Sequence, residues 1–280
     1  MTVDRDLASL LEERFGERFT VPPELATLHE LLGAAAHRSH RAFTDQPIPE
    51  SWIETLLACA LSAPSKSDLQ QVSVIRVEDA SKRAALAALV PTLNWLASAP
   101  LVLVFCGDSR RIRRICELRA RPFDNDHLDA LFNASVDAAL VMMNFIRAVD
   151  AAGLGCCPIS MVRDRSGELS RLLELPAYVF PVAGMAVGFP AAERLISPRL
   201  PLSVTVHTDR YDDSRLEEAL EAYDRRRHAV LPIPAEKQRE QQRFGVQREY
   251  GWSEDKARQV SYPQRADFGS YLRDQGFRLV

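Results

Sequence analysis

Cysteine is scarce and badly spaced for structural work. The 280-residue sequence has five (Cys59, Cys106, Cys116, Cys156, Cys157), an odd number with no CxxC and no Cys/His zinc spacing. That argues against a disulfide framework and against a metal site. No run of 18 or more uncharged apolar residues occurs, so no membrane span is expected. Met1–Glu30 carries Asp4, Asp6, Glu12 and Glu13 and lacks the apolar centre of a signal peptide. No G-x-G-x-x-G follows a strand-like segment, so a Rossmann nicotinamide site is not expected. Charge of one sign is not in excess either. Lys plus Arg number 35 against 38 Asp plus Glu, a net charge of -3, so no global field favours nucleic acid or anionic lipid. Any basic site must be local. Together these absences point to a cytoplasmic protein with neither nucleic acid nor membrane as a partner.

What is present is ordinary for a globular chain, 46% hydrophobic and 26% charged, with enough length for a sizeable core. Helical spacing marks Leu7–Glu17, Leu25–Ala36, Ser51–Leu61, Ser81–Leu89, Asp164–Leu173, Asp213–Arg227 and Asp267–Gln275. Val72–Val77, Leu101–Cys106, Cys156–Ile159 and Val182–Gly188 read as strands, the second apolar enough to be buried on both faces. Asp129–Ala152 is the longest helix, apolar nearly all round but broken by Asn133, Asp137, Asn144 and Arg147. Such a helix is buried, either centrally or between subunits. The pattern predicts one α+β domain with a polar excursion near residues 228–265.

Five segments could carry chemistry. HRSHR (His37–Arg41) concentrates guanidinium, imidazole and hydroxyl donors, and a phosphate monoester wants such a fork. Ala63–Gln71 offers Ser65, Ser67 and Gln70 to a heterocycle. GLGCCPISMVR (Gly153–Arg163) follows the long helix with a short extended run whose backbone N–H groups could face a ring nitrogen. SPRLP (Ser197–Pro201) fixes Arg199 between prolines, which lowers the entropy lost on binding an anion. Arg225, Arg226, Arg227, Lys237, Arg239, Arg243 and Arg248 form a basic tail that suits a 2′-phosphate. Each has a plainer explanation when taken alone: a solvated helix end, a polar loop, inert buried thiols, a turn with a surface arginine, a solvated helix face.

In their order, these segments resemble the nitroreductase/flavin reductase family, and within it the oxygen-insensitive NADPH nitroreductase group. HRSHRAFTDQPIPE (His37–Glu50) is similar to that group's opening HRSxRxFxxxPI. APSKSDLQQVSVIRVED (Ala63–Asp79), GLGCCPISMVR, LLELPAYVFPVAGMAVGFP (Leu172–Pro190) and PRLPLSVTVHTDRY (Pro198–Tyr211) complete the series, with a weak echo at GWSED (Gly251–Asp255).

The resemblance implies an α+β fold with a central, mostly antiparallel sheet flanked by helices and a long central helix at a homodimer interface. It divides the chain into a helical lead (1–36), an FMN-binding core (37–211) and a C-terminal extension (212–280) within a single domain. By the same resemblance His37, Arg38, Ser39 and Arg41 hold the FMN phosphate and pyrimidine side, joined by Arg199. Ser65, Ser67 and Gln70 reach the flavin from the partner subunit. Pro158, Ile159, Ser160 and Met161 line the ring, Arg163 follows, and Arg248 is the NADPH candidate. The group usually has Gly-Gly at Ser160-Met161, so space over the ring is expected to be smaller. It commonly has Lys at Ser197, so one phosphate cation is missing. The implied activity is ping-pong hydride transfer from NADPH, with NADH possible, through flavin N5 to nitroaromatics, quinones or free flavin. The alternatives are another reaction of the same fold, flavin cleavage or dehalogenation, or a non-catalytic FMN-binding protein.

Overall fold

The computed structural model describes residues 5–280; Asp4, counted above among the N-terminal acids, lies outside the described residues. Along the chain, α1 (Leu7–Phe15) is capped by Asp6, whose carboxylate accepts from Ser9 N at 2.7 Å. It ends on Gly16 at φ 71, where a Cβ would also lie 2.3 Å from Arg226 Cδ, so only glycine fits. The single helix expected over Leu25–Ala36 is two, α2 (Pro23–Ala26) and α3 (His29–Ala36), because Leu28 is extended (φ -71, ψ 116). Then follow α4 (Glu50–Leu61), β1 (Val72–Arg76), α5 (Ala80–Leu89), β2 (Leu101–Asp108), α6 (Arg110–Leu118) and α7 (Leu128–Ala151). After these come β3 (Gly155–Ile159), α8 (Ser166–Leu172), β4 (Val179–Gly188), α9 (Leu202–Thr205), α10 (Leu216–Val230), α11 (Gln241–Phe244), α12 (Trp252–Val260) and α13 (Phe268–Asp274).

The chain forms two compact units. One comprises the chain up to Arg38 together with Leu195–Gln264; the other comprises Ser39–Arg194 and Arg265–Val280.

The second unit holds the sheet, four strands in the order β1-β2-β4-β3, every pair antiparallel. All eight residues of β2 are buried, as its unbroken apolar run predicts, and they divide by parity. Leu101, Leu103 and Phe105 pack with α4 and α7, while Val102, Val104 and Cys106 pack with Leu86 of α5 and Leu169 of α8. β4 begins at Val179, earlier than its alternation suggests. The register slips between Phe105 and Cys106, opposite Pro181, and such a bulge is where an interior strand tolerates proline.

By length and composition α7 could cross a membrane. Here it packs along β2 and α4, burying Ala134, Ala138, Val141, Phe145 and Val149. Asp137, an interruption in the sequence reading, is also fully buried. The opposite face exposes Leu128, Phe132, Val136, Leu140 and Met143, a stripe at three- and four-residue spacing.

In the first unit, α1, α3 and Ile196 share a small core. The polar excursion is ordered, and a polar hub orders it. Arg258, 2% exposed, donates to Glu254 Oε1 (2.7 Å), Arg239 O (3.0 Å) and Gly245 O (2.7 Å), and Tyr250 donates to Asp255 at 3.1 Å.

Candidate functional site

Of the singled-out residues in the first unit, His37, Arg38 and Arg199 gather around Arg14 of α1. Arg14 is buried. It donates to Ala35 O through Nε (3.0 Å) and Nη2 (2.8 Å), to His37 O (2.5 Å) and to Ser197 O (3.3 Å). Its own carbonyl accepts from Arg199 N at 2.7 Å. One guanidinium therefore pins the end of α3 and the start of the PRLP segment together, which a planar fork of donors can do and a single ammonium cannot. Burial pushes the Arg14 guanidinium below its usual range, and the like charges of Arg199 and Arg38 push it further while Glu13 draws it part of the way back.

From α10, Tyr223 OH donates to Pro198 O at 3.0 Å, and Arg226 donates to Arg14 O (3.2 Å) and Arg199 O (2.5 Å). Arg226 thus serves the backbone of the proline-flanked segment rather than an exposed basic tail. Arg239 pairs with Asp255 at 3.2 Å and Arg243 caps Ser261 O at 2.9 Å, so these too are spent internally. Arg248 is exposed. It lines a cleft of about 540 Å³ with Arg225 and His228 facing Glu221, Asp224 and Glu249.

In the second unit, Ser39 bridges Cys156 in parallel and His40 N donates to Cys156 O at 2.8 Å, extending the sheet beyond β3. The His40 ring lies against Gly155, where a Cβ would sit 2.7 Å from it. Exposed Arg41 sets its guanidinium beside the Cys157 thiol. Burial pushes that thiol up and Arg41 draws it part of the way back. Cys156 is pushed up more strongly, again chiefly by burial. Both thiols hold their protons, as inert strand residues should.

Pro158 and Ile159 end β3, paired to Met185 and Gly184 of β4. Pro158 is tolerated because β3 is an edge strand. Ser160 is exposed at the start of a 3₁₀ turn, Ser160–Arg163. Met161 does not project from it: its thioether packs with the second core cluster and accepts from Thr92 Oγ1 at 3.8 Å. Arg163 donates to Val182 O, so its charge fixes the turn to β4.

Ser65, Ser67 and Gln70 sit in the loop before β1, at the other edge of the sheet. Three strand spacings, about 14 Å, separate that edge from β3. The fold thus brings Ser39 and Arg41 to the β3 edge and keeps the 65–70 loop away from them within one chain. Arg14, Tyr223, Arg226 and Asp137 are positioning residues that no motif indicated. Arg14 reaches partners 21 to 183 residues away, beyond any local pattern.

The sequence model described as the nitroreductase family matches residues 34–189, and that of the family's C-terminal domain matches residues 197–280. The chain is 35% identical over 191 residues to an FMN reductase [NAD(P)H] of Bacillus subtilis, covering 67% of this chain and 77% of that one. It is 35% identical over 195 residues to an oxygen-insensitive NADPH nitroreductase of Salmonella typhimurium, 70% of this chain and 78% of that one. The solved structure of NfrA2 from B. megaterium superposes with a TM-score of 0.82 at 29% identity, covering 91% of this chain and all of that one.

Proposed function

Since this chain belongs to the nitroreductase family, we propose that it is an FMN-dependent NAD(P)H oxidoreductase, cytoplasmic and homodimeric, that reduces small organic acceptors such as nitroaromatics, quinones or free flavin. One observation carries the reading: the HRSHR segment at His37 and the PRLP segment at Ser197 and Arg199, far apart in sequence, are hydrogen-bonded to the same buried Arg14. The like charges of Arg199 and Arg38 near Arg14, only partly offset by Glu13, favour an anion there, and a flavin phosphate is such an anion.

FMN, when bound, supplies an N5 position that accepts hydride from the nicotinamide and returns it to the acceptor in a ping-pong cycle. The chain's own work is to bind, orient and exclude water. His37, Arg38 and Arg199 hold the phosphate; Ser39 and Arg41 hold the pyrimidine side. Pro158, Ile159, Ser160 and Met161 form a rigid ledge for the ring, with Arg163 anchoring it to β4. Met161 turns inward, so it leaves more room over the ring than its replacement of glycine suggests. Ser65, Ser67 and Gln70 act on the site of a second copy. Their place at the opposite sheet edge from β3 favours a site completed across a dimer.

An absorbance spectrum of the purified protein, followed by anaerobic titration with NADPH and NADH, tests the whole reading. A colourless protein that takes up no FMN would sink it. Arg41→Ala is expected to weaken FMN binding by about 10- to 150-fold, since one charge-assisted contact is worth ~1.5–3 kcal/mol. A variant that stays fully yellow after dialysis removes Arg41 from the assignment. Arg248→Ala is expected to raise KM for NADPH by about two- to fivefold while leaving KM for NADH unchanged, as loss of a rim phosphate contact should. Equal effects on both nucleotides would take the 248 cleft out of nucleotide binding.

A further inference from the structure

The loop between α4 and β1 has an unusual backbone. Ser67, Asp68 and Gln70 all sit in the left-handed region, at φ 50, 57 and 50, and none is glycine. Non-glycine residues hold that conformation only where their surroundings over-determine it. Two side chains from outside the loop do so here. Asp137 of α7, fully buried, accepts from Lys66 N through Oδ1 and from Gln71 N through Oδ2, both at 2.9 Å. Arg111 of α6 donates to Gln70 O at 2.5 Å and to Val72 O at 3.0 Å. Arg111 is itself held, by Asp108 Oδ2 at 3.1 Å and Ser73 Oγ at 3.0 Å, while Ser73 donates to Asp108 at 2.5 Å. The carboxylate takes amide donors at both ends of the loop and the guanidinium takes carbonyl acceptors at its exit. Inside that frame Ser65 Oγ accepts from Gln70 N at 3.2 Å.

We propose that Asp137, seconded by Arg111, is the positioning residue that sets Ser65, Ser67 and Gln70 in the conformation that meets FMN. The inference rests on the FMN reading above and deepens it. Asp137 touches no ligand; it acts through the loop. Its carboxylate is specifically required because both of its oxygens receive an amide. Asn would fill the same volume but present an NH2 to one of the two N–H donors, losing one bond and opposing donor to donor.

The test compares Asp137→Asn, Arg111→Ala and Ser170→Ala with the wild type. Ser170 is the control: its buried hydroxyl pairs with Tyr271 OH at 2.7 Å in the same unit and has no link to the loop. Two readouts are taken. One is FMN affinity by fluorescence titration of the apoprotein. The other is the rate of tryptic cleavage after Lys66 in apoprotein verified as folded by circular dichroism. Asp137→Asn and Arg111→Ala should each raise the FMN Kd by about tenfold or more and speed cleavage after Lys66. Ser170→Ala should lower Tm and move neither. The inference is overturned if Asp137→Asn leaves Kd within about twofold of the wild type. It is also overturned if Lys66 stays as resistant as before, or if Ser170→Ala shifts both readouts equally. A wild-type apoprotein that binds no FMN overturns the FMN reading instead, and the proteolysis result then still reports whether Asp137 holds the loop.

Discussion

Arg14→Ala is expected to lower Tm by on the order of 10 °C and to abolish FMN retention in the same variant. The side chain is buried and makes four hydrogen bonds to the carbonyls of Ala35, His37 and Ser197. Truncation leaves those acceptors without their donor in a buried site, and losing such a network costs roughly 3 kcal/mol or more. At about 2–4 °C per kcal/mol for a chain of this size, that is a large and easily measured shift in a melting curve. The FMN effect has a separate cause. The Arg14 guanidinium ties the backbone of His37 to that of Ser197, so its loss loosens both of the segments proposed to hold the phosphate, although the Arg14 carbonyl still accepts Arg199 N in the alanine variant. Arg14→Lys separates charge from geometry. A lysine keeps the positive charge, but its donors radiate from one nitrogen and cannot span the carbonyls that Nε, Nη1 and Nη2 reach separately, so it should rescue little. Recovery of FMN binding by lysine would show that charge alone matters and would remove the pinning argument.

The double variant Phe132→Asp, Leu140→Asp should convert the proposed homodimer to a folded monomer that no longer retains FMN. Phe132 and Leu140 stand two turns apart on the exposed stripe of α7, 63% and 38% exposed in the single chain. This apolar stripe, exposed in the single chain, is the face on which the proposed homodimer is expected to close. Placing carboxylates there costs several kcal/mol on association, more than about 100-fold in the dimer dissociation constant, while costing the lone protomer little. Analytical ultracentrifugation reads the mass, far-ultraviolet circular dichroism the fold, and visible absorbance the cofactor. A variant that remains dimeric and yellow would move the interface elsewhere; one that becomes monomeric yet keeps FMN would mean that a single chain completes the site.

The sequence discloses elements and motif order well, because both are local. β2 is legible as an unbroken apolar run and α7 as a long apolar helix ended by glycine. α6 is not. Arg110, Arg111, Arg113 and Arg114 hide its short apolar face, and what holds Arg113 in place comes from afar: Tyr178 at 3.9 Å, Phe123 at 4.4 Å and Asp126 at 2.6 Å. The start of β4 is masked by Pro181, a residue that argues against an interior strand until the bulge is seen. Among site residues, those that would face a ligand are legible from motif, whereas those that aim them are not. Asp137 reads as a polar blemish in an apolar helix, and only its contacts 66 and 71 residues away give it a role. Arg226 reads as one cation of a basic tail until its donors are traced to Arg14 and Arg199.

Surface loops are ordinarily where related chains gain and lose residues. The segment from Lys66 to Gln71 is denied that freedom. Its two anchoring amides must reach the two oxygens of one carboxylate on a rigid helix, so the number of residues between them is locked to the width of a side chain. One insertion or deletion between them would leave an oxygen without its amide. The backbone at positions 67, 68 and 70 suits glycine or asparagine and should reject valine and isoleucine, whose branching is costly at positive φ. Length and backbone handedness constrain this stretch in addition to whatever its side chains do at the flavin.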